Sequence, residues 1–232
     1  MKKINIVVLL ITSALVVNAQ NWSKSRPVSG FSEIQVSHGI DVYLTQDGKE
    51  SLQLEAKGLE EEEVISEVKG GVLILRIDRK GGMMNWGRNN GVKARVSFRM
   101  LSRLKASGGS DIYSQGQLHL QDFVVEASGG SDVKLDIKAS RLSIKAGGGS
   151  DVNLMGSVAY LEATANGGSD LDAKSLTADK VMVRSSGGSD AYVYATKEIS
   201  AEASGGSDVY YRGPAKAVNI HKSGGSDILR RN

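Results

Sequence analysis

The chain has 232 residues, of which 28 are Gly, 2 are Pro and none is Cys, while 40% are hydrophobic. Glycine in such excess without proline or a three-residue period excludes collagen, and the apolar content is too high for a disordered linker. The formal charge of +3 includes Lys2 and Lys3, so a chain cleaved behind them carries +1 and lacks the electrostatic footprint of a nucleic-acid binder.

Residues 1–19 read as an export signal. Lys2 and Lys3 form a positive start, and Ile4 to Val17 is an apolar run of 14 residues, too short to span a bilayer comfortably. Val17-Asn18-Ala19 supplies a cleavage site, so cleavage is expected after Ala19. The remainder has no second hydrophobic span and no Cys to accept a lipid, disulfide or thiolate role. The mature protein is expected in the periplasm, on the outer surface or outside the cell, without an integral membrane span.

Residues 20–106 are irregular and β-rich. Ile34 to Val36, Asp41 to Thr45, Leu52 to Ala56, Val72 to Ile77 and Val92 to Phe98 read as strands. The Glu-rich stretch Leu59 to Val68 is predicted to be a helix, ended by Gly70 and Gly71. Arg79 to Gly91 reads as a Gly/Asn-rich surface loop carrying Met83, Met84 and Trp86, either a partner contact or a tip folded back onto its surroundings. Ser37-His38-Gly39-Ile40-Asp41 is a degenerate copy of the corner that governs the rest of the chain. The whole region is expected to begin and cap a solenoid, because an open solenoid end exposes unpaired backbone.

Residues 107–232 are built on that corner. Gly-Gly-Ser-Asp occurs seven times, ending at Asp111, Asp132, Asp151, Asp170, Asp190, Asp208 and Asp227, with steps of 21, 19, 19, 20, 18 and 19 residues. Within one repeat Val133, Leu135 and Ile137 alternate with polar residues, and after Ala139-Ser140 so do Leu142, Ile144 and Ala146. These are two period-2 strands and a bend. A propeller blade needs about twice that length. The reading is an all-β fold, a parallel β-helix of about 20 residues per coil, right-handed as parallel crossovers overwhelmingly are. A second corner is expected five residues after each Asp, where Gly116, Gly156 and Gly213 stand. Lys222 falls at an inward position, as suits an exposed last coil.

Strands punctuated by Ser-Gly-Gly-Ser-Asp-Val, with Phe31-Ser-Glu-Ile-Gln-Val-Ser-His-Gly-Ile-Asp-Val-Tyr-Leu before them, resemble the bacterial head GIN domain family over roughly residues 27 to 229. The resemblance implies an exported, adhesin-like β-helical protein. It brings no catalytic residues, so none is carried over.

The aspartate column is the sharpest chemical feature. Unit charges about 4.8 Å apart repel by ~0.9 kcal/mol in water and ~3.5 kcal/mol at an effective dielectric near 20. Either corner N–H groups and Ser hydroxyls satisfy each carboxylate, or Ca²⁺ bridges Asp111, Asp132, Asp151, Asp170, Asp190, Asp208 and Asp227. Beside it runs a row of Tyr113, Lys134, Asn153, Asp172, Tyr192 and Tyr210, with Tyr194 and Tyr211 nearby. The tyrosines either stack on sugars or a partner, or reflect strand preference alone. Tyr113, Tyr192, Tyr194, Tyr210 and Trp86 are the candidate binding residues. A further row, Glu126, Lys145, Thr164, Arg184, Glu202 and His221, reads as a solvated face. No catalytic residues are assigned and no cofactor is required. The expected function is non-enzymatic binding of a glycan or cell-surface ligand by repeated flat faces. The alternatives are a Ca²⁺-stabilised envelope protein and a polysaccharide-processing β-helix enzyme.

Overall fold

The computed structural model describes residues 21–78 and 90–231, so the segment expected to be an export signal and the stretch expected to be a Met83, Met84 and Trp86 loop lie outside the described residues. Within them the protein is a β-solenoid with turns about 19 residues apart and no α-helix. The first strands are β1 (Trp22–Arg26), β2 (Glu33–Val36), β3 (Ile40–Gln46), β4 (Ser51–Lys57), β5 (Val64–Lys69) and β6 (Val72–Ile77). β7 (Gly91–Phe98), β8 (Arg103–Ala106), β9 (Ile112–His119) and β10 (Asp122–Ser128) follow. The regular coils are β11 (Asp132–Gly147), β12 (Asp151–Asn166), β13 (Asp170–Gly187) and β14 (Asp190–Gly205), and β15 (Asp208–Arg212), β16 (Lys216–Gly224) and β17 (Asp227–Arg230) end the stack.

Each long strand bends through a corner, so its two halves serve two ladders. The halves that follow each aspartate stack in the order β4, β7, β3, β9, β11, β12, β13, β14, β15, β17. This is the aspartate face. The other halves stack as β6, β2, β8, β10, β11, β12, β13, β14, β16 and form the ion-pair face. Pairing between coils is parallel. β1, β4 and β5 pair antiparallel and close the N-terminal end.

The coils are not stacked in chain order at that end. β2–β3 is a true rung, set between β6–β7 and β8–β9. The helix expected from Leu59 to Val68 is absent. Glu61–Glu63 makes a single 3₁₀ turn and β5 begins at Val64. The Glu60–Glu63 capping box holds that turn, with the Glu60 N–H donating to Glu63 Oε2 at 2.9 Å. Four consecutive glutamates repel along any longer helix, whereas Val64, Ile65 and Val68 pair with Ile77, Arg76 and Leu73 of β6.

The core tapers. The buried phenylalanines Phe31, Phe98 and Phe123 all precede the regular coils, and the coils after Leu161 fill their interior largely with Ala163, Ala173, Ala191, Ala201 and similar residues. No rung buries its apolar side alone, so stability comes from neighbour stacking. The last rung leaves Val218 and Ile220 exposed. Lys222 lies below the inward Ala203 and reaches Asp227 at 2.9 Å.

The corners repeat down the stack. Gly148 and Gly149 have φ of +63° and +70°, a region open to glycine at little steric cost. The second corner is tighter. Gly156 has φ +110°, and a Cβ there would lie 2.1 Å from the Ile137 carbonyl oxygen of the neighbouring rung.

Candidate binding face

The seven predicted aspartates are in register. Asp132 pairs with Asp151, Asp151 with Asp170, Asp170 with Asp190, Asp190 with Asp208, and Asp208 with Asp227. Asp111 adjoins Asp132, whose N–H donates to the Asp111 Oδ1 at 3.3 Å. The column has an eighth member that the motif count omits. Asp41 lies beside Asp111, because Val42 pairs with Ile112. Its signal was the degenerate Ser37–Asp41 corner, in which His38 takes a positive φ of 67° where later corners have glycine.

At Asp111, Asp190 and Asp208 the mutual repulsion is met by the backbone N–H of the next rung. Asp190 Oδ1 accepts the Asp208 N–H at 3.3 Å, and Asp208 Oδ1 accepts the Asp227 N–H at 2.9 Å. Burial and the like charges of Asp111 and Asp151 hold the Asp132 carboxyl above the usual carboxylate range, against Lys134. Asp41 is raised likewise by burial and then by Asp111, against Lys93. Among the described residues no three His, Asp or Glu side chains converge into a metal-holding group.

The corner serines do not serve the carboxylates. Ser110, Ser131, Ser150, Ser169, Ser189, Ser207 and Ser226 are buried inside the corners. Ser169 Oγ donates to the Ala146 carbonyl of the preceding rung, as Ser189 does to Ala165 and Ser226 to Ala203. The serine is thus an internal tie between rungs. Strand alternation contains that signal, since the residue before an outward aspartate faces in.

Beside the acids runs the expected row, with Tyr113 against Lys134, then Asn153, Asp172, Tyr192 and Tyr210 on successive rungs. Tyr43 extends it and was not foreseen, although it too stands two residues after a corner aspartate. Tyr43 stacks on Tyr113 with centroids 5.4 Å apart, and Tyr192 on Tyr210 at 4.9 Å. The phenols of Tyr113 and Tyr210 donate to Asp111 and Asp208 at 3.3 and 2.8 Å. Tyr113 is raised above the ordinary phenol range by burial and then by Asp111. Tyr192 is raised by burial and then Asp190, against Arg231. In Tyr210 the hydrogen bond to Asp208 is the larger cause. Stacking along the axis covers one face each of Tyr43 and Tyr192 and, with the neighbouring cations, both faces of Tyr113 and Tyr210. Arg231 lies over Tyr210 at 3.9 Å and Lys134 over Tyr113 at 5.9 Å. The row therefore presents ring edges and two aromatic stops, Tyr113 and Tyr192, four rungs or about 19 Å apart. Tyr194 lies one position outward of that row, between Thr177 and Arg212.

The ion-pair face is different in kind. Glu126, Lys145, Thr164, Arg184, Glu202 and His221 share one row as expected. Arg103 bridges Glu33 and Glu126, and Arg184 bridges Glu162 and Glu202. Its charges cancel locally, each exposed pair contributing ~0–1 kcal/mol.

A family model described as "Putative auto-transporter adhesin, head GIN domain" matches residues 30–215. The chain belongs to this family. Solved structures share its fold. An adhesin-titled protein from Bacteroides fragilis superposes with a TM-score of 0.82 at 23% identity, covering 91% of this chain and 97% of its own. A protein from Parabacteroides distasonis titled as lipid binding gives 0.71 at 17% identity, covering 91% and 98%. A Parabacteroides merdae protein titled as an adhesin gives 0.66 at 16%, covering 91% and 97%. No curated protein matches the chain in sequence. Among the described residues of this family member, no helix is long and apolar enough to cross a membrane.

Two clefts are lined by residues of the aspartate face. One, of about 260 Å³, lies between Tyr192, Tyr210, Lys174, Arg212 and Arg231 over Val193. The other, of about 560 Å³, lies at the N-terminal end between Trp22, Asp41, Glu55 and Lys93. Trp22, unremarked in the sequence, packs against the core and donates its indole N–H to the Leu59 carbonyl at 2.9 Å.

Proposed function

We propose that this head GIN family member is an exported, non-enzymatic adhesin-type module that binds a glycan or other repeating surface polymer through its aspartate face. The reading rests on one observation. Eight consecutive rungs present equivalent outward groups in register, from Asp41 to Asp227. A polymer with its own repeat can meet such a ladder many times over, so weak contacts add. The family description and the adhesin-titled neighbours agree with this role. Two features favour binding over catalysis. The repeated serines point inward onto backbone carbonyls, and the acids recur identically rather than as one acid–base pair.

A glycan array probed with the folded mature chain tests the reading. Binding should weaken by about 2- to 12-fold when Tyr192 and Tyr210 are replaced by Ala, the range expected for losing one aromatic contact with the ligand. A uniformly blank array from a folded sample overturns it.

A further inference from the structure

We infer that the groove beside Tyr192 and Tyr210 is an oxyanion site, which takes the carboxylate or sulfate of an acidic sugar within an extended polysaccharide. The inference rests on the binding-face reading and names the chemistry of its ligand.

The groove is made by a register jump. Ala173 pairs with Val193 but Thr177 with Tyr194, so Lys174, Ser175 and Leu176 have no counterpart on β14. The extra residues bulge, and Lys174 lines the cleft together with Tyr192. Arg212 comes from the end of β15, and Arg231 from the residue after β17.

The two arginines and the tyrosine edges of the lining favour an anion. Arg212 and Arg231 carry planar guanidinium forks suited to carboxylate or sulfate oxygens, while Lys174 lines the groove with its own charge paired to Asp172. The stacked rings expose their edges, the positive part of an aromatic quadrupole. Neither Arg212 nor Arg231 pairs with a carboxylate among the described residues.

The acids around the groove keep their charge but are held by partners within the protein. Asp172 is paired with Lys174. Asp190 Oδ1 accepts the Asp208 N–H, and Asp208 accepts both the Asp227 N–H and the Tyr210 phenol. On a face otherwise dominated by carboxylates, the two guanidinium groups are the donors an arriving polyanion meets here. The acids flanking the groove on other rungs would set its register along the ladder.

The test uses the whole mature chain and three probes: trigalacturonate, the same trisaccharide with its carboxylates reduced to hydroxymethyl groups, and a sulfated galactan oligosaccharide. Calorimetry should show an acidic probe binding on the order of ten-fold more tightly than the reduced one, the increment of a charge-assisted hydrogen bond. Arg212→Ala and Arg231→Gln, both on exposed side chains, should each remove about that factor without changing the circular dichroism spectrum. Preference between the galacturonate and sulfated probes assigns the oxyanion. Equal affinity for the acidic and reduced trisaccharides, or variants that bind as the parent does, overturns the inference. If neutral glycans still bind and respond to Tyr192→Ala, the binding-face reading survives that failure. If none of the three probes binds, the oxyanion site is rejected, and the array alone decides the wider reading.

Discussion

Replacing Gly156 by Ala should cost far more than replacing Gly149, although both have positive φ. At Gly149, φ is +70° and an added Cβ meets nothing within 4 Å. Its cost is the left-handed conformation of an L-residue, ~1–2 kcal/mol, less the ~0.4–1 kcal/mol gained by restricting the unfolded chain. The net loss is about 1 kcal/mol, a fall in Tm of roughly 2–4 °C for a chain of this size. At Gly156, φ is +110° and the Cβ would sit 2.1 Å from the Ile137 oxygen and 2.9 Å from its carbonyl carbon. Both atoms are backbone of the neighbouring rung, so the rungs must separate. Adding an overpacking cost of ~1–3 kcal/mol or more to the conformational one gives about 3–5 kcal/mol, a fall on the order of 10 °C. Thermal unfolding followed by circular dichroism measures both variants. Equal shifts, or a Gly156→Ala change no larger than that of Gly149→Ala, would refute the idea that close rung contact at this second corner defines the coil.

Three further outcomes follow from the corners and the acid ladder. Ser189→Ala removes a buried hydroxyl bonded to the Ala165 and Ser186 carbonyls, both at 2.9 Å; urea unfolding should show a loss of ~1–3 kcal/mol, and an unchanged midpoint would reject the serine as an inter-rung tie. Because Asp132 has a raised folded-state pKa, its contribution to stability is fully present below the ordinary carboxylate value and is lost as pH rises through the folded value. Asp132→Asn should therefore melt above the parent at pH 7, with the difference vanishing at about pH 3, and a parent that melts higher at neutral pH contradicts this. Millimolar Ca²⁺ should leave Tm unmoved, since Asp111, Asp190 and Asp208 already bond to the next rung's N–H and no three acids of the described residues converge; a clear rise would instead favour the calcium-stabilised alternative.

The regular half of the fold was legible because its signals are local. Each corner announces itself by Gly-Gly-Ser-Asp, and each strand by alternation, so the rows from Asp111 to Asp227 and from Tyr113 to Tyr210 could be written down before any coordinates. Exact recurrence also fixes register, because a slip of one residue would turn every side chain to the other face. Where recurrence fails, local signals mislead. The run Leu59 to Val68 reads as helical by composition, yet its β-branched residues are worth more paired against β6.

From its residues alone, this chain is committed to a stack of short parallel strands with one acidic group per turn. Tertiary pairing decided which rungs adjoin. It placed β2–β3 between β6–β7 and β8–β9, brought Asp41 and Tyr43 into columns begun some 70 residues later, and opened the Lys174 bulge beside Tyr192. It also turned the tyrosine faces onto one another and onto Arg231, leaving edges and cations outward. These choices depend on contacts between residues far apart in the chain, which propensity and spacing do not encode.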